Sequence, residues 1–498
     1  MNNTLYHKTF LALAACAALS APLAARAQDV TITPDQAVRD ALDRNPSLKS
    51  AAIDIERARI SVEREDHRFR PNYRVEAGLQ TGSTPSLGRD GTVTGIARDT
   101  LSGTAAIDQQ FATGTTLTGS VSFDRRIQDS TVFGNQGATY GVDARLDVSQ
   151  PWLRGAGDKI LDASYYRARY DVDASNQSRD REASALVKET LDAYWELWYA
   201  QRAVTLRKAA LDLARAELAQ GQLRVDAGTI AETDLLPLRT EIASLAESLS
   251  AASASVRTRS IALSRLLDGT GANEHLTVSD QAPATRAVPD LDTVVELAEA
   301  QSLDLARLQV AVETRKLDVL LADDNEQVQL DTFAWLQVSG LGLDAGSVAG
   351  SFGSFDGVSG YVGIRLSGPF DGTYNDAESR RARMAVGSAE LDLEAERERL
   401  RASVRQQLTI LDAAVERLDL AEQTLTLARA STEAEQRRFA AGTTTALDVV
   451  AVLQRQNEAE LRVARARVDI LLAHVAIDDL SGQLLARADL RSPPASQP

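Results

Sequence analysis

The chain of 498 residues is poor in several residue types that mark common protein classes. It has one cysteine, Cys16, and four histidines, so it cannot build a disulfide framework or a cysteine-based metal site. The 54 lysines and arginines are outnumbered by 70 acidic residues, and the net charge of −16 argues against a nucleic-acid partner. Aromatic residues make up only 5% of the chain, which is little for several independent cores.

Two further absences concern membranes and chemistry. After the N-terminus, no apolar run reaches the ~18 residues that a transmembrane helix needs. The sequence contains no nucleophile paired with a base, no phosphate-binding loop and no metal-ligand spacing, so we predict no enzymatic activity and no cofactor. What is abundant is Ala, Leu, Arg, Glu and Asp, a composition typical of long helices and coiled coils.

Residues 1–27 have the features of an export signal. Phe10–Leu23 is apolar, and Ala25-Arg26-Ala27 forms a cleavage site of the A-x-A type. Leu13-Ala14-Ala15-Cys16 also resembles a lipoprotein box, which leaves open whether Cys16 is acylated or removed. Both alternatives predict export. At the other end, residues 484–498 are predicted to form a disordered tail.

The chain contains an internal duplication, which we sought first because repeats decide the fold. Arg224-Val225-Asp226-Ala227-Gly228-Thr229, followed by Asp234, recurs as Arg438-Phe439-Ala440-Ala441-Gly442-Thr443, followed by Asp448. Each copy is predicted to contain a helix, strands, a long helix, a tight turn and a further helix. The predicted segments are a first repeat at 28–269 (strands 72–150, tip turn 225–229), a linker at 270–289, and a second repeat at 290–483 (strands 329–368, tip turn 439–443).

The helical segments carry coiled-coil seams. Apolar residues step by three and four residues from Leu235 and again from Val404, which is the 3.5-residue repeat of a coiled coil. The stretches 157–225 and 373–441 contain almost no glycine or proline, and each predicts a helix of roughly 70 residues, far longer than a globular domain uses. The helices alone leave open an ordinary structural coiled coil.

The strand segments alternate apolar and polar residues with a period of two. Tyr73–Gln80, Tyr140–Ser149 and Val358–Ser367 each place apolar side chains on one face and polar ones on the other. This pattern is typical of a transmembrane β-barrel with lipid outside and water inside, although a soluble half-buried sheet shows it too. The export signal and the aromatic residues near the segment ends, which include Phe333 and Trp335, favour the membrane.

The number of strands bears on assembly. The polar segments Gly82–Asp99, Arg125–Gly137 and Gly340–Gly357 are predicted to be long loops. The chain then holds four or six strands, too few to close a wide barrel alone, so several copies must share one barrel.

With these features together, the sequence resembles the outer-membrane efflux protein family, the TolC-like channels, over residues 33 to 483. The resemblance lies in the duplication, in the two Gly-Thr turns with an Asp six residues after each glycine, and in the strand-to-helix transitions Gln150–Gly155 and Gly368–Gly372. It implies a mainly α fold with membrane β-structure, in which a long antiparallel coiled-coil α-barrel is continuous with a transmembrane β-barrel. A homotrimer shares this β-barrel, which has 12 or 18 strands according to whether each copy contributes four or six.

The resemblance also implies partners and site residues. The partners are outer-membrane lipid, a periplasmic adaptor of the membrane fusion type, and an inner-membrane transporter of the RND, ABC or MFS type. The implied residues are the tip and adaptor contacts Val225, Ala227, Gly228, Thr229, Phe439, Ala441, Gly442 and Thr443; the entrance constriction Asp234 and Asp448; and the transitions Pro151, Trp152, Gly155, Pro369 and Gly372. An arginine that latches the tip in some members would fall at Thr444. For the two aspartates, a charge favoured by a helix N-terminus is an equally good explanation.

The predicted function is therefore an outer-membrane channel of a tripartite efflux or type I secretion system, located in the outer membrane and extending into the periplasm. Such a channel is a passive duct, and its substrate is not readable from the sequence. The alternative is a secreted structural coiled-coil protein without a channel.

Overall fold

A computed structural model describes residues 31–87, 91, 93–130, 134–268, 273, 275–279 and 286–487. The predicted export signal, half of the predicted linker and residues 488–498 lie outside these ranges. Most of the described residues are helical, in α1 (Pro34–Arg44), α2 (Pro46–Asp66), α3 (Asp158–Leu161), α4 (Ala163–Asp226), α5 (Leu236–Asp268), α6 (Leu291–Gln301), α7 (Leu303–Glu326), α8 (Ala345–Gly353), α9 (Thr373–Ala440), α10 (Ala446–Leu480) and α11 (Gln483–Arg487).

The strands form two sheets. A small parallel sheet pairs β1 (Thr31–Ile32) with β6 (Thr277–Val278). A large antiparallel sheet contains β2 (Asn72–Leu87), β3 (Val93–Gln110), β4 (Thr116–Ser130), β5 (Gly134–Pro151), β7 (Gln329–Gly342) and β8 (Gly357–Ser367), in the order β2-β3-β4-β5-β7-β8. Within the described chain, no helix is both long and apolar enough to cross a membrane.

The chain divides into two compact units. The helical unit comprises the described residues within 31–45, 186–287 and 411–475, and the sheet unit comprises those within 46–185, 288–410 and 476–487. The long helices α4 and α9, of 64 and 68 residues, contribute residues to both units.

Breaks in the shorter helices repeat between the two copies. Asn45 is extended and ends α1 before Pro46, because proline disfavours a helical residue in front of it. Ser302 is also extended and ends α6, although leucine rather than proline follows it, and it begins α7, where its hydroxyl accepts the Leu305 N–H at 3.3 Å. These positions are 257 residues apart, so the duplication extends to the caps.

The large sheet presents one apolar and one polar face. One row across the strands consists of Val75, Ala105, Val121, Ala144, Val338 and Val358, which are successive cross-strand partners. The adjacent row, one residue along each strand, consists of Glu76, Thr104, Ser122, Asp143, Ser339 and Gly357. Along these two rows the two-residue period of the sequence is kept in register from β2 to β8, although a bulge shifts the β4–β5 register between Ile127 and Asp129.

Two of the predicted loops are wrong, because the strands run further than the apolar alternation. β2 continues to Leu87 and β3 begins at Val93, while β4 continues to Ser130 and β5 begins at Gly134. Antiparallel ladders depend on backbone N–H and C=O groups, so polar residues extend a hairpin beyond its apolar part without a hydrophobic signal.

The third predicted loop, Gly340–Gly357, contains the helix α8. Asp344 caps it by accepting the Ser347 N–H at 2.9 Å. The helix packs closely on β7 at two glycines: a Cβ on Gly340 would lie 2.7 Å from Phe352 Cβ, and one on Gly342 would lie 2.6 Å from the Val348 nitrogen. Glycine is required at both positions because the helix backbone occupies the space of a side chain.

The interpretation of Phe333 and Trp335 as aromatics at the ends of membrane strands is wrong. Phe333 is paired with Ser149 and Trp335 with Asp147, so both rings lie on the polar face within β7. The sequence Phe333-Ala334-Trp335-Leu336 is apolar on both faces, so only the cross-strand partners reveal which face is which.

The predicted start of the disordered tail at residue 484 is also wrong. Residues Gln483–Arg487 form α11, and Leu484 and Leu485 are buried. Burial of two leucine side chains favours an ordered turn over a disordered tail at these residues.

The close packing of α8 on β7 yields a test. Gly342→Ala should displace α8 and expose Phe352, which is now half-buried, because the new methyl group meets the backbone of Ser347 and Val348 as well as the Ser347 side chain. Limited chymotrypsin digestion with mass spectrometry should show cleavage after Phe352 at least about threefold faster than in the unmodified protein. The matched control is Gly350→Ala, since a Cβ there meets nothing within 4 Å. Equal cleavage in both variants would contradict this account of the packing.

Candidate functional site

The first tip turn ends α4 in a Schellman motif. Gly228 has a φ of +68°, a conformation that glycine adopts without strain. The Gly228 N–H donates to the Val225 carbonyl at 2.9 Å, and the Thr229 N–H donates to the Arg224 carbonyl at 3.0 Å. The Thr229 hydroxyl adds a 2.8 Å hydrogen bond to the same Arg224 carbonyl. The glycine and the threonine of the motif therefore have separate roles, one in backbone conformation and one in capping.

The second tip turn has the same geometry 214 residues later. Gly442 has a φ of +76°, and its N–H donates to the Phe439 carbonyl at 2.9 Å. The Thr443 N–H and hydroxyl donate to the Arg438 carbonyl at 2.9 and 3.1 Å. The structure thus places both sequence motifs in identical turns of the helical unit.

Small exposed residues form the surface of both turns. Ala227, Gly228 and Thr229 are exposed in the first turn, and Ala441, Gly442 and Thr443 are exposed in the second. Val225 is half-buried. These exposed residues are accessible to another protein, as the predicted adaptor contact requires. That contact stays a prediction.

Phe439 does not fit that prediction. Its ring is 3% exposed and belongs to a cluster of apolar residues beneath the turns, formed by Leu235, Leu238, Phe439, Ala446, Val449, Val450 and Leu453. The equivalent residue of the first repeat, Val225, only packs against this cluster. A large apolar side chain at the end of α9 is drawn into the core rather than left on a contact surface.

A contact that the sequence motifs do not reveal joins the ends of α4 and α9. The Arg224 guanidinium donates to the Phe439 carbonyl, and its carbon lies 4.8 Å from the centre of the Phe439 ring. The equivalent Arg438 instead lies 3.5 Å from the Glu435 carboxylate on its own helix. Position 221, equivalent to 435, is glycine, so Arg224 lacks that acidic neighbour and reaches across to α9.

Asp448 caps the helix that follows the second turn. Its carboxylate accepts hydrogen bonds from the Thr445 hydroxyl at 2.6 Å, the Thr445 N–H at 3.2 Å and the Thr444 hydroxyl at 3.0 Å. These donors, led by the Thr445 hydroxyl, lower the pKa of Asp448 below its usual value, because they stabilise the charged form. In return, the Thr445 hydroxyl accepts the Asp448 N–H at 3.3 Å, which completes a capping box.

Asp234 has a simpler environment. Its carboxylate accepts the Ala231 N–H at 3.1 Å, at the start of the helical turn Glu232–Leu235. Both aspartates are exposed. Both aspartates therefore cap the start of a helix. Their role in narrowing an entrance stays a prediction.

Two buried carboxylates lie near the tip and were not found from the sequence. Glu217 on α4 is 7% exposed and accepts a 2.9 Å hydrogen bond from the Gln436 amide of α9. Burial raises the pKa of Glu217, and the Gln436 hydrogen bond only partly offsets this. Glu241 on α5 is 6% exposed and accepts a 2.6 Å hydrogen bond from the Gln454 amide of α10. Both pairs join one repeat to the other.

The predicted strand-to-helix transitions lie at the end of the large sheet. Trp152 follows Pro151, donates its backbone N–H to the Leu330 carbonyl at 2.8 Å, and donates its ring N–H to Thr332 Oγ1 at 2.9 Å. Gly155, with a φ of +76°, donates its N–H to the Asp324 carboxylate at 3.0 and 3.2 Å. Burial raises the pKa of Asp324, although the Gly155 N–H and Arg154 act in the opposite direction.

The second transition is more open. Pro369 follows β8 by two residues, and Gly372 directly precedes α9, where its carbonyl accepts the Asp376 N–H at 3.0 Å. The two transitions of the duplicated chain thus differ in detail, since the hydrogen bonds of the first one fix it to β7 and α7.

The comparisons with known proteins agree with this fold. The family model for the outer membrane efflux protein matches residues 294–483, in the second repeat. No curated protein matches the chain. Among solved structures, the chain is similar to the outer-membrane channel OprN, with 19% identity, coverage of 90% of both chains and a TM-score of 0.67.

Two further channels are similar. The CmeC outer membrane channel of Campylobacter jejuni is 15% identical over 90% of this chain and 85% of that chain, with a TM-score of 0.67. The outer membrane protein VceC of Vibrio cholerae is 14% identical over 90% of this chain and 96% of that chain, with a TM-score of 0.66. The chain therefore has the fold of TolC-like outer-membrane channels. The resemblance predicted from its sequence to the outer-membrane efflux protein family is confirmed.

The capping box at Asp448 predicts a pH dependence. Because the folded-state pKa of Asp448 is lowered, its stabilisation is complete above the ordinary aspartate pKa of about 4 and is lost as the pH falls through the lower folded value. Hydrogen exchange of residues 446–450, corrected for intrinsic rates, should therefore rise as the pH falls below about 4. Asp448→Asn should give several-fold faster exchange at neutral pH and no such acid transition.

Asp234→Asn is the matched control, because Asp234 accepts one backbone hydrogen bond and no hydroxyl. We expect it to change exchange at residues 446–450 by less than a factor of two, since it lies outside that capping box. An Asp448→Asn variant with unchanged exchange would contradict the role assigned to this carboxylate.

Proposed function

We propose that the protein is the outer-membrane channel of a tripartite efflux or type I secretion system, and that three copies form a passive duct across the outer membrane and into the periplasm. The single observation that carries the proposal is the apolar row of cross-strand partners that begins at Val75 on β2 and ends at Val358 on β8. A polar row lies one residue away on every strand. A continuous apolar face opposite a continuous polar face suits a wall with lipid on one side and water on the other.

Much of the apolar face is exposed in the described chain, although α8 covers it at Gly340 and Gly342 of β7. The side chains of Tyr73, Val75, Leu79, Val362, Ile364 and Leu366 are 70–85% exposed. Exposed apolar area of this extent is rare on water-soluble monomers and marks a surface that meets lipid or another chain. Here it supports lipid, because these residues lie on the same face of both edge strands, β2 and β8, and Val121 and Leu336 on the strands between them are also 53% exposed.

The sheet edges support a shared barrel. β2 and β8 are the outer strands of the large sheet, and each has one row of backbone groups without a strand partner in the described chain. In lipid such groups must be paired, and pairing β8 of one copy with β2 of the next satisfies both. Three six-stranded sheets then give a barrel of 18 strands, a size that in porins encloses a water-filled channel.

The tip turns are the proposed meeting point with the partners. Their small exposed residues, Ala227 to Thr229 and Ala441 to Thr443, allow close approach of another backbone, as the hairpin of a periplasmic adaptor would require. Exposed Leu223 and Leu447 nearby offer apolar area for such a contact. The inner-membrane partner would be a transporter of the RND, ABC or MFS type.

Asp234 and Asp448 are proposed to narrow the periplasmic entrance. Both are exposed acids at the starts of helices that follow the tip turns, so a ring of copies would bring several carboxylates together. Opening by movement of the tip helices would have to break the Arg224 contact with Phe439, because that contact joins the ends of α4 and α9. The duct itself performs no chemistry in this proposal.

The alternative, a secreted structural coiled coil, is less well supported. It accounts for α4 and α9 but gives no use for the large sheet. It would also leave the apolar row from Val75 on β2 to Val358 on β8 in water. Exposure of apolar surface costs roughly 25 cal/mol of free energy for each Å².

A pair of adjacent substitutions tests the proposal. Val121→Arg places a charge in the apolar row, where it should cost about 2–4 kcal/mol at the middle of a bilayer and sharply reduce the amount of trimer in outer membranes. Ser122→Arg places the same charge in the polar row, opposite Asp143, and should be tolerated. The readout is membrane fractionation with heat-modifiable electrophoresis.

Two results would contradict the proposal. Equal tolerance of both variants would show that the apolar row does not meet lipid. A soluble, rod-like species without a heat-modifiable form would favour the secreted coiled coil.

A further inference from the structure

Three aromatic rings lie together on the polar face of the large sheet. Phe333 and Tyr361 have ring centres 5.5 Å apart with planes at 28°, and Trp335 and Tyr361 have centres 6.4 Å apart with planes at 17°. Trp335 is the cross-strand partner of Tyr361, so all three rings occupy neighbouring positions of β7 and β8. They form a stack on a face whose adjacent rows consist mainly of serine, threonine, aspartate and glutamine.

A glycine makes room for this stack. A Cβ on Gly363 would lie 2.6 Å from Tyr361 Cε1 and 3.1 Å from Phe333 Cζ. The Tyr361 ring therefore leans over Gly363 toward Phe333, and a side chain at 363 would push the rings apart. Tyr361 nevertheless stays 50% exposed, so the stack is open to solvent on one side.

Two guanidinium groups flank the rings. Arg145 lies 4.5 Å from the Trp335 ring centre and is engaged by the Asp147 carboxylate, with its closest contact at 2.7 Å. Arg365 lies 4.6 Å from the Phe333 ring centre. Among the residues that the structure describes, no carboxylate lies within ion-pair distance of Arg365, and its cross-strand partner Asp331 accepts a 2.8 Å hydrogen bond from the Gln329 amide instead. The guanidinium of Arg365 can therefore meet a ligand, with Asp331 as the nearest competing charge across the strand pair.

We propose that Phe333, Trp335, Tyr361 and Arg365, the aromatic–arginine patch, bind planar aromatic anions on the wall of the duct. A flat ring would stack on the exposed side of Tyr361 and Phe333, and its carboxylate or sulfonate would meet Arg365. The location of the patch inside a duct depends on the proposed function, whereas its binding chemistry does not.

Binding at such a site has to be weak. A conduit conducts only when its binding sites release a solute as readily as they accept it. An open, half-exposed stack with a single free charge suits a dissociation constant of the order of millimolar. In a trimer the patch would occur three times and would raise the local concentration of aromatic anions in the duct.

The test is a saturation-transfer NMR titration of the full chain in detergent, with 1-naphthoate as the probe. Cyclohexanecarboxylate carries the same charge without an aromatic ring, and 1-naphthylmethylammonium carries the ring with the opposite charge. We expect 1-naphthoate to bind at least about fivefold more tightly than either. Arg365→Gln and Gly363→Ala should each weaken 1-naphthoate by about tenfold.

Arg126→Gln is the matched control. Arg126 also lies on the polar face, but it pairs with Asp124 at 3.3 Å and lies on no aromatic ring within the described part of the sheet. Its replacement should leave the dissociation constant of 1-naphthoate unchanged within a factor of two. An equal loss in Arg126→Gln and Arg365→Gln would overturn the proposal, because it would indicate a general effect of positive charge.

A contact between copies is the principal rival. Glu76 lies on the polar face of the edge strand β2 and could pair with Arg365 of a neighbouring copy. If Glu76→Gln and Arg365→Gln both destabilise the heat-modifiable trimer while 1-naphthoate binding persists, the proposal is wrong. Binding that depends on Arg365 in detergent, without a heat-modifiable trimer in outer membranes, would support the patch and count against the duct.

Discussion

The two edges of the large sheet, which have no strand partner in the described part of the chain, are the constraint on which the rest of the structure depends. β2 and β8 each offer a row of backbone N–H and C=O groups, and the face between them is apolar from one edge to the other. In water this sheet would aggregate, and in lipid it would be prohibitively unstable unless its edges were paired. In the proposed assembly, copies of the same chain supply the missing strands. The exposed apolar face, the polar opposite face and the need for a closed assembly then follow from one another.

The sequence carried enough information to predict the type of sheet but not its extent. The alternation in Tyr140–Ser149 and Val358–Ser367 correctly separates the two faces, because each of these strands is apolar on one side only. It ends where both sides become polar, so the hairpin ends at Leu87 and Ser130 were predicted as loops. It also fails at Phe333 and Trp335, where both sides are apolar and the cross-strand partners Ser149 and Asp147 decide the face. Register is a property of pairs of strands. The residues of one strand do not show which residues of the neighbouring strand lie opposite them.

The tip shows the same limit in a duplicated structure. The Gly-Thr motifs predicted both turns, because a glycine with positive φ and a capping threonine are local requirements. The contacts that join the repeats arise instead from places where the copies differ. Gly221 stands where the second repeat has Glu435, and this difference leaves Arg224 to contact Phe439. The burial of Phe439 and of the Glu217 and Gln436 pair likewise depends on the neighbouring helix, and comparing the two repeats position by position is the signal that could have found them.

The central claim is that neighbouring copies pair strand β8 with strand β2, and disulfide cross-linking between these edges tests it most directly. Double variants would carry Ile364→Cys with a cysteine at Tyr73, Val75 or Leu79, while Cys16 is removed or acylated on either interpretation of the N-terminus. Within one open sheet the two edges are about 24 Å apart, beyond the reach of a disulfide. We predict a ladder of covalent dimers and trimers after oxidation in membranes, with at least one of the three positions reacting much faster than the others. A cross-link confined to a single chain, or none at any position, would contradict the shared barrel.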